Sequence, residues 1–369
     1  VNLVTGDRRR LLHVLALVTA GALLGAGIVA WRSDTLPLFS SKPCWDSVTD
    51  QDVEELLGDR DTEASGIRPA WVDDGELQGS CRLMPSDERP RGLTVDIGVH
   101  KLDGLDQDQI PWANEFLSTR LTPLSGKLLG MASDTRAWVA MPDACTGEPG
   151  DFSGPGVVDV ALGDDESSGA SGAHATAHYQ RALARTAVHV ANGTMEELGC
   201  TGSLESPQGL KPVPRKFRPM PHSRQMCDLK GVRLPTSYLG SHPRMRASVT
   251  GTDGKSPVHG CEIATGVDPR PTVRLRTVQE EDVTGAFGHT VVELGHFIRG
   301  KKGSREATGT FSGTTAALRV ECPKGVVDFM ADDRHDTGNH QFIKKVFPSY
   351  VSSEAERLDC GPVKIRMLD

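Results

Sequence analysis

The eight cysteines constrain this chain most, because they form two sets of four with nearly equal spacing. Cys44, Cys81, Cys145 and Cys200 are separated by 37, 64 and 55 positions, and Cys227, Cys261, Cys322 and Cys360 by 34, 61 and 38. The landmarks between them repeat as well. Gly79-Ser80-Cys81-Arg82-Leu83 parallels His259-Gly260-Cys261-Glu262-Ile263, Thr94-Val95-Asp96-Ile97 parallels Thr272-Val273-Arg274-Leu275, and Val157-Val158-Asp159 parallels Val326-Val327-Asp328. Before the last cysteine, Ala182, Leu183, Ala187 and Val190 match Phe342, Ile343, Phe347 and Tyr350 without a gap. The longer last gap of the first set (55 against 38) is taken up by two stretches expected to protrude, the Gly/Pro-rich loop Thr146–Gly156 and the low-complexity insertion Ser167–Ala177. The pattern is an internal duplication, with repeats at 44–200 and 227–369.

Each copy reads as α+β. Thr49 or Asp50 caps a short helix carried by Val53, Leu56 and Leu57, and Gly58 ends it. Strands follow through Cys81 and over Leu93–Val99, matched by Thr272–Val278, and the second copy adds an apolar stretch at His289–Ile298. Two further strands flank the third cysteine of each set, and an amphipathic helix leads to the fourth. Pro348 predicts a kink or break in the second of these helices. The expected architecture is two tandem antiparallel sheets, each flanked by helices. Two sets of four cysteines allow three pairings each. The pairing expected is Cys44–Cys81, Cys145–Cys200, Cys227–Cys261 and Cys322–Cys360, in which every bond ties an end helix to its sheet. Loops of this length are worth about 3–4 kcal/mol each on the chain-entropy model.

The N-terminal region gives an address. Arg8, Arg9 and Arg10 precede a run from Leu11 to Trp31 with no Asp, Glu, Lys or Arg. Its length, about 31 Å as a helix, suits a transmembrane span, and the arginines place residues 1–10 in the cytoplasm. The alternative is a cleaved signal peptide ending near Ile28-Val29-Ala30. Gly21 and Gly25 form a Gly-x-x-x-Gly pair that would let two spans meet as a homodimer. Residues 32–43 are then a spacer, and both repeats lie outside a bacterial plasma membrane, where cysteines are oxidised. Between the repeats, residues 201–226 read as a linker. Pro207–Arg224 holds five prolines and five basic residues without an acid, a composition that favours extended polyproline II. The net charge of −8 argues against a nucleic-acid partner, but the copies differ. Residues 44–200 carry 28 acids and 11 bases, whereas 201–369 carry 19 and 25, a contrast able to draw the copies face to face or to give them different partners.

Reactive constellations are scarce. The chain has no Gly-x-Ser-x-Gly elbow, His-Glu-x-x-His, phosphate loop, EF-hand loop or Cys-x-x-Cys pair. His174 and His178, one helical turn apart and close after Asp164, Asp165 and Glu166, have a metal-chelating spacing. Asp332, Asp333, His335, Asp336 and His340 form a second cluster, which as an acidic turn before a helix suits the helix dipole as well as it suits chemistry. No catalytic residue and no cofactor is assigned.

The Pro43-Cys44 opening, the acidic helix after it, the Gly79-Ser80-Cys81 strand and the Ala/Gly/Arg/Asp-rich composition resemble actinobacterial, streptomycete-type envelope proteins framed by cysteines, which are membrane-anchored or lipoproteins. The chain departs from the lipoprotein pattern in having no lipidation cysteine, and its second copy opens on Met226-Cys227. The resemblance implies helix-flanked antiparallel sheets and carries over no catalytic residue. The function expected is a non-enzymatic extracytoplasmic binding or interaction protein whose ligand is an envelope protein, a lipid or a wall fragment. The alternatives are an accessory ectodomain of a signalling or export complex, and a cell-envelope hydrolase.

Overall fold

A computed structural model describes residues 43–72, 75–86, 93–102, 111–150, 153–163, 173–213, 217–220, 223–236, 245–250, 256–265, 271–293, 295–334 and 341–368. The apolar run 11–31, expected to span a membrane, lies outside them with Gly21 and Gly25. Among the described residues no helix is long and apolar enough to cross a membrane.

The first copy runs α1 (Asp50–Leu57), β1 (Thr62–Trp71), β2 (Leu77–Pro85), β3 (Thr94–Lys101), α2 (Pro111–Phe116), β4 (Thr122–Pro123), β5 (Gly130–Ala132), β6 (Arg136–Ala140), α3 (Asp143–Thr146), β7 (Gly156–Gly163) and α4 (Ala173–Glu197). The second runs β8 (Arg218–Pro219), β9 (Met245–Thr250), β10 (Val258–Thr265), β11 (Pro271–Val278), α5 (Glu281–Thr284), α6 (Gly288–Glu293), β12 (His296–Gly300), β13 (Ala307–Phe311), β14 (Thr315–Cys322), β15 (Gly325–Asp333), α7 (Gln341–Arg357) and β16 (Ile365–Met367). Each copy forms its own antiparallel sheet. The orders are β1-β2-β3-β7-β6-β5-β4 and β8-β9-β10-β11-β15-β14-β13-β12-β16. Seven strands correspond one to one, β1 with β9 through β4 with β12, and the second sheet adds β8 and β16 at its edges.

Register supports the duplication residue by residue. Cys81 pairs with Ile97, and Cys261 with Leu275. The next strand over pairs Ile97 with Val160, and Leu275 with Ala331. The Val-Val-Asp triplets are therefore two positions out of structural register, a shift that keeps the same face inward because strand side chains alternate. The four disulfides are Cys44–Cys81, Cys145–Cys200, Cys227–Cys261 and Cys322–Cys360, the pairs the duplicated spacing predicts. Both final helices end in the same way. Gly199 and Asp359 take positive φ, and the N–H groups of Cys200 and Cys360 reach back to the carbonyls of Met195 and Ala355 at 2.8 and 2.9 Å.

One face of each sheet is covered by its own helices. Val95, Ile97, Val99, Val158 and Val160 pack under Leu183, Ala187 and Val190 of α4; Leu275, Leu318 and Phe329 pack under Phe342, Ile343 and Phe347 of α7. α1 starts at a capping box between Thr49 and Asp52, and the same buried Asp52 then accepts Arg185 Nε at 3.0 Å and pairs with His189 Nδ1 at 2.7 Å on α4. Burial opposes this charge, but the hydrogen bonds from His189 and Thr49 outweigh it and hold the carboxyl well below the usual range. The second copy uses Glu354 of α7 instead, paired with His259 Nδ1 of β10 at 2.8 Å and with Arg357. Those two bonds overcome its burial and hold its pKa at about 2.

The opposite faces meet each other. Trp138, Met131 and Val157 of the first copy share one apolar cluster with Val258, Val278 and Met330 of the second. The connections β3-to-β4 and β11-to-β12 are inserted at this seam. Leu117, just after α2, takes Arg276 Nε on its carbonyl at 3.2 Å, and Thr119 Oγ1 donates to Glu262 at 2.9 Å. Gly285 lies so near the first copy that a Cβ there would stand 2.3 Å from Gly150 O and 2.5 Å from Ser153 O.

Several expectations need correction. His289–Ile298 is not one strand: residues up to Glu293 form α6, whose Val291 is drawn into the seam core, and the strand begins at His296. α7 runs continuously from Gln341 to Arg357 through Pro348, so the helix is not broken. Thr146–Gly156 does not protrude, because its described part is clamped at the seam against Gly285 and Leu102. The linker is also held. Lys211 O accepts from Thr122 Oγ1 and Gln180 Nε2, Leu204 and Leu210 pack on the first core, and β8 joins the second sheet. The described ion pairs each stay within one copy; across the contact the apolar cluster is joined by the hydrogen bonds of Glu262 and Arg276.

Candidate binding cleft

A cleft of about 710 Å³ opens where the seam reaches the surface, and both copies build it. One wall is the turn from β4 to β5, from Pro123 to Gly130, where Gly126 at φ +79° supplies a conformation other residues resist. The second copy provides the rest: Ser256 and Pro257 before β10, Gln279, Glu280 and Asp282 after β11, the β14–β15 turn and the end of α7. These parts are braced. Gln279 donates its backbone N–H to Pro257 O at 3.2 Å and its side-chain amide to Ser256 O at 2.9 Å. Cys322, itself in the cleft wall, ties the β14–β15 turn to the end of α7 through Cys360.

The cleft combines both signs of charge. Glu280 is pushed above its ordinary pKa, first by burial and then by its neighbours Asp282 and Glu281. Asp282 is raised for the same reasons, and the carboxylate acting most on it is Asp143 of the first copy. Opposed to these acids are Lys127 from the first copy and Lys324 from the second. Among the described residues Lys324 pairs with an exposed Asp359 at 3.4 Å, whereas Arg357 is committed to Glu354. The carboxylates accept hydrogen bonds, and the ammonium groups donate them and attract an anionic group. Such a cleft fits a small ligand bearing both amine and carboxylate or several hydroxyl groups.

The residues singled out in the sequence lie elsewhere. His178 Nε2 meets Glu55 O at 3.0 Å, where it helps to fix α1 on α4. The side chain of His174, and Asp164, Asp165 and Glu166, lie outside the described residues. Among the described residues no group of three or more His, Cys, Asp or Glu is placed to hold a metal ion. Asp332 pairs with Arg274 at 3.2 Å and Arg334 at 3.6 Å, and Asp333 is buried; His335, Asp336 and His340 lie outside the described residues. The cleft residues escaped sequence reasoning because they come from five separated segments and form no local motif. The one available signal was Glu280-Glu281-Asp282 at the end of an apolar strand. No protein-family model matches this chain, and no curated protein or solved structure matches it either.

Proposed function

We propose that this chain is a non-catalytic extracytoplasmic binding protein, displayed at a bacterial plasma membrane by its N-terminal apolar run, with its ligand held in the seam cleft. The observation that carries this reading is a cleft of about 710 Å³ whose two walls come from different copies of a duplicated domain. Sites between two domains are a common location for small-molecule binding. The described lining supplies carboxyls, ammonium groups and aliphatic surface, and its sulfur is locked in a disulfide; such a mixture of apolar surface and a few charged groups suits the holding of a small polar ligand. Four disulfides fit an oxidising compartment, and the resemblance to cysteine-framed envelope proteins points the same way.

Native mass spectrometry of the full chain, extracted in detergent from the cells that make it and kept non-reduced, tests this. The expected result is a bound molecule of defined mass that is lost from the Glu280→Gln/Asp282→Asn variant. A chain without adduct in every preparation, or an adduct indifferent to that variant, overturns the assignment.

A further inference from the structure

Among the described residues the second sheet ends on a strand pair without a counterpart in the first. β12 and β16 pair with Ile298 opposite Met367, Arg299 opposite Arg366 and Gly300 opposite Ile365, whereas the first sheet ends on the two-residue β4. The same register carries on at both ends. Leu368 N–H donates to Phe297 O at 2.9 Å, and Lys301 N–H donates to Lys364 O at 2.7 Å. Ile298 and Ile365 are buried in the core of the second copy, which turns the alternate residues outward. The outward face is therefore three successive rungs, Phe297 with Leu368, Arg299 with Arg366, and Lys301 with Lys364, and all six residues are exposed.

Two of these rungs oppose like charges. Cations placed directly opposite one another on paired strands destabilise the pairing, and here that happens twice in succession. The stretches 295–305 and 361–368 contain six Lys or Arg and no Asp or Glu. Among the described residues none of the six is in an ion pair, and the contact of Arg299 is with the Phe297 ring, its guanidinium 5.7 Å from the centroid. Lys302 and Arg305, in the turn after β12, are exposed beside them and add to the positive charge. The first rung is apolar, yet it stands in water: Phe297 is 52% and Leu368 38% exposed.

We propose that this face of β12 and β16 docks on the surface of a bilayer containing anionic phospholipid. The four cations of the rungs meet phosphate groups, which relieves the repulsion within each rung, and Phe297 and Leu368 enter the boundary between headgroups and acyl chains. A bilayer supplies both halves of this complement, anions held over an apolar layer. A soluble polyanion satisfies the arginines and lysines but leaves Phe297 and Leu368 in water. The docking rests on the three rungs alone, and neither on the seam cleft nor on the N-terminal run.

Flotation of the full chain with vesicles tests the docking. The chain is carried in nanodiscs of phosphatidylcholine, so that its N-terminal apolar run is already in lipid, and empty discs set the background. Capture is expected by vesicles of equal parts phosphatidylcholine and phosphatidylglycerol, and not by vesicles of phosphatidylcholine alone. Arg299→Gln/Arg366→Gln should weaken capture about 25-fold, at roughly fivefold per cation near an anionic surface. It should melt no lower than the parent, because it removes a repulsive rung. Lys301→Gln/Lys364→Gln repeats the charge test on the next rung, and Phe297→Ser/Leu368→Ser should also weaken capture at least fivefold. No capture by the anionic vesicles overturns the proposal, as does capture indifferent to both charge variants. Capture that needs the cations but neither Phe297 nor Leu368 overturns it in favour of a soluble polyanion.

Discussion

Removing the charge of Glu262 should weaken the fold by about 3–5 kcal/mol, the usual cost of breaking a buried ion pair from one side. Glu262 is 1% exposed and lies on the seam face of β10. It accepts Thr119 Oγ1 of the other copy at 2.9 Å and stands 3.6 Å from Arg274 Nε and 3.7 Å from Arg276 Nη2. Arg276 is so deeply buried that its pKa is lowered to about 10, because burial disfavours its charge more than Glu262 restores it. Asp332 neutralises part of this cluster through Arg274 at 3.2 Å. Glu262→Gln keeps an oxygen for Thr119 but withdraws the carboxylate facing both guanidiniums. Urea unfolding under non-reducing conditions, followed by tryptophan fluorescence and far-UV circular dichroism, measures the loss. Thr119→Val should cost about 1.5–3 kcal/mol, as for a hydrogen bond to a charged group, and couple to Glu262→Gln in a double-mutant cycle. An apolar replacement of all three, Glu262→Leu with Arg274→Leu and Arg276→Met, should recover most of the stability. A loss below about 1 kcal/mol for Glu262→Gln would refute the view that this carboxylate compensates buried cations.

Two predictions concern pH. The pKa of Glu354 is about 2 in the folded chain against an ordinary 4.5, so its contribution is full above pH 4.5 and is lost as pH falls towards 2. The shift corresponds to roughly 3 kcal/mol; denaturant titrations at pH 7 and pH 3 should show a larger loss of stability in the parent chain than in Glu354→Gln, in which Asp52 still responds to acid. The raised pKa of Glu280 has the opposite sign: the unfolded chain ionises more readily, so stability falls as pH rises above the ordinary value. Glu280→Gln should therefore melt higher than the parent at pH 7 and at the same temperature at pH 4.

The duplicated framework was legible in the sequence because disulfide spacing and inward-facing apolar positions repeat together. The β3, β7, β11 and β15 strands and both final helices fall where alternation and helical periodicity place them. The β1–β2 hairpin was less visible, since β1 is an exposed edge strand with no apolar period to mark it. The stretch His289–Ile298 misled because valine, threonine and phenylalanine favour strands, whereas tertiary packing draws Val291, with Phe287 just before the stretch, into helical turns over the seam. The seam itself was hidden for a simple reason. Glu262, Arg274 and Arg276 occupy the alternate positions of their strands, where charged residues ordinarily signal solvent, and here that face is covered by the other copy. The cleft followed it into obscurity, because its walls exist only once the copies have met.

That the two copies close on one another can be tested by cutting the chain between them. No disulfide crosses the linker, since each of the four bonds stays within its own copy. With a specific protease site in place of Arg215-Lys216 and the linker cleaved under non-reducing conditions, size-exclusion chromatography should return the halves as one complex, held by the Trp138–Val278 face and the Thr119–Glu262 and Arg276–Leu117 bonds. Halves that elute separately after a cut at that one site would contradict the account.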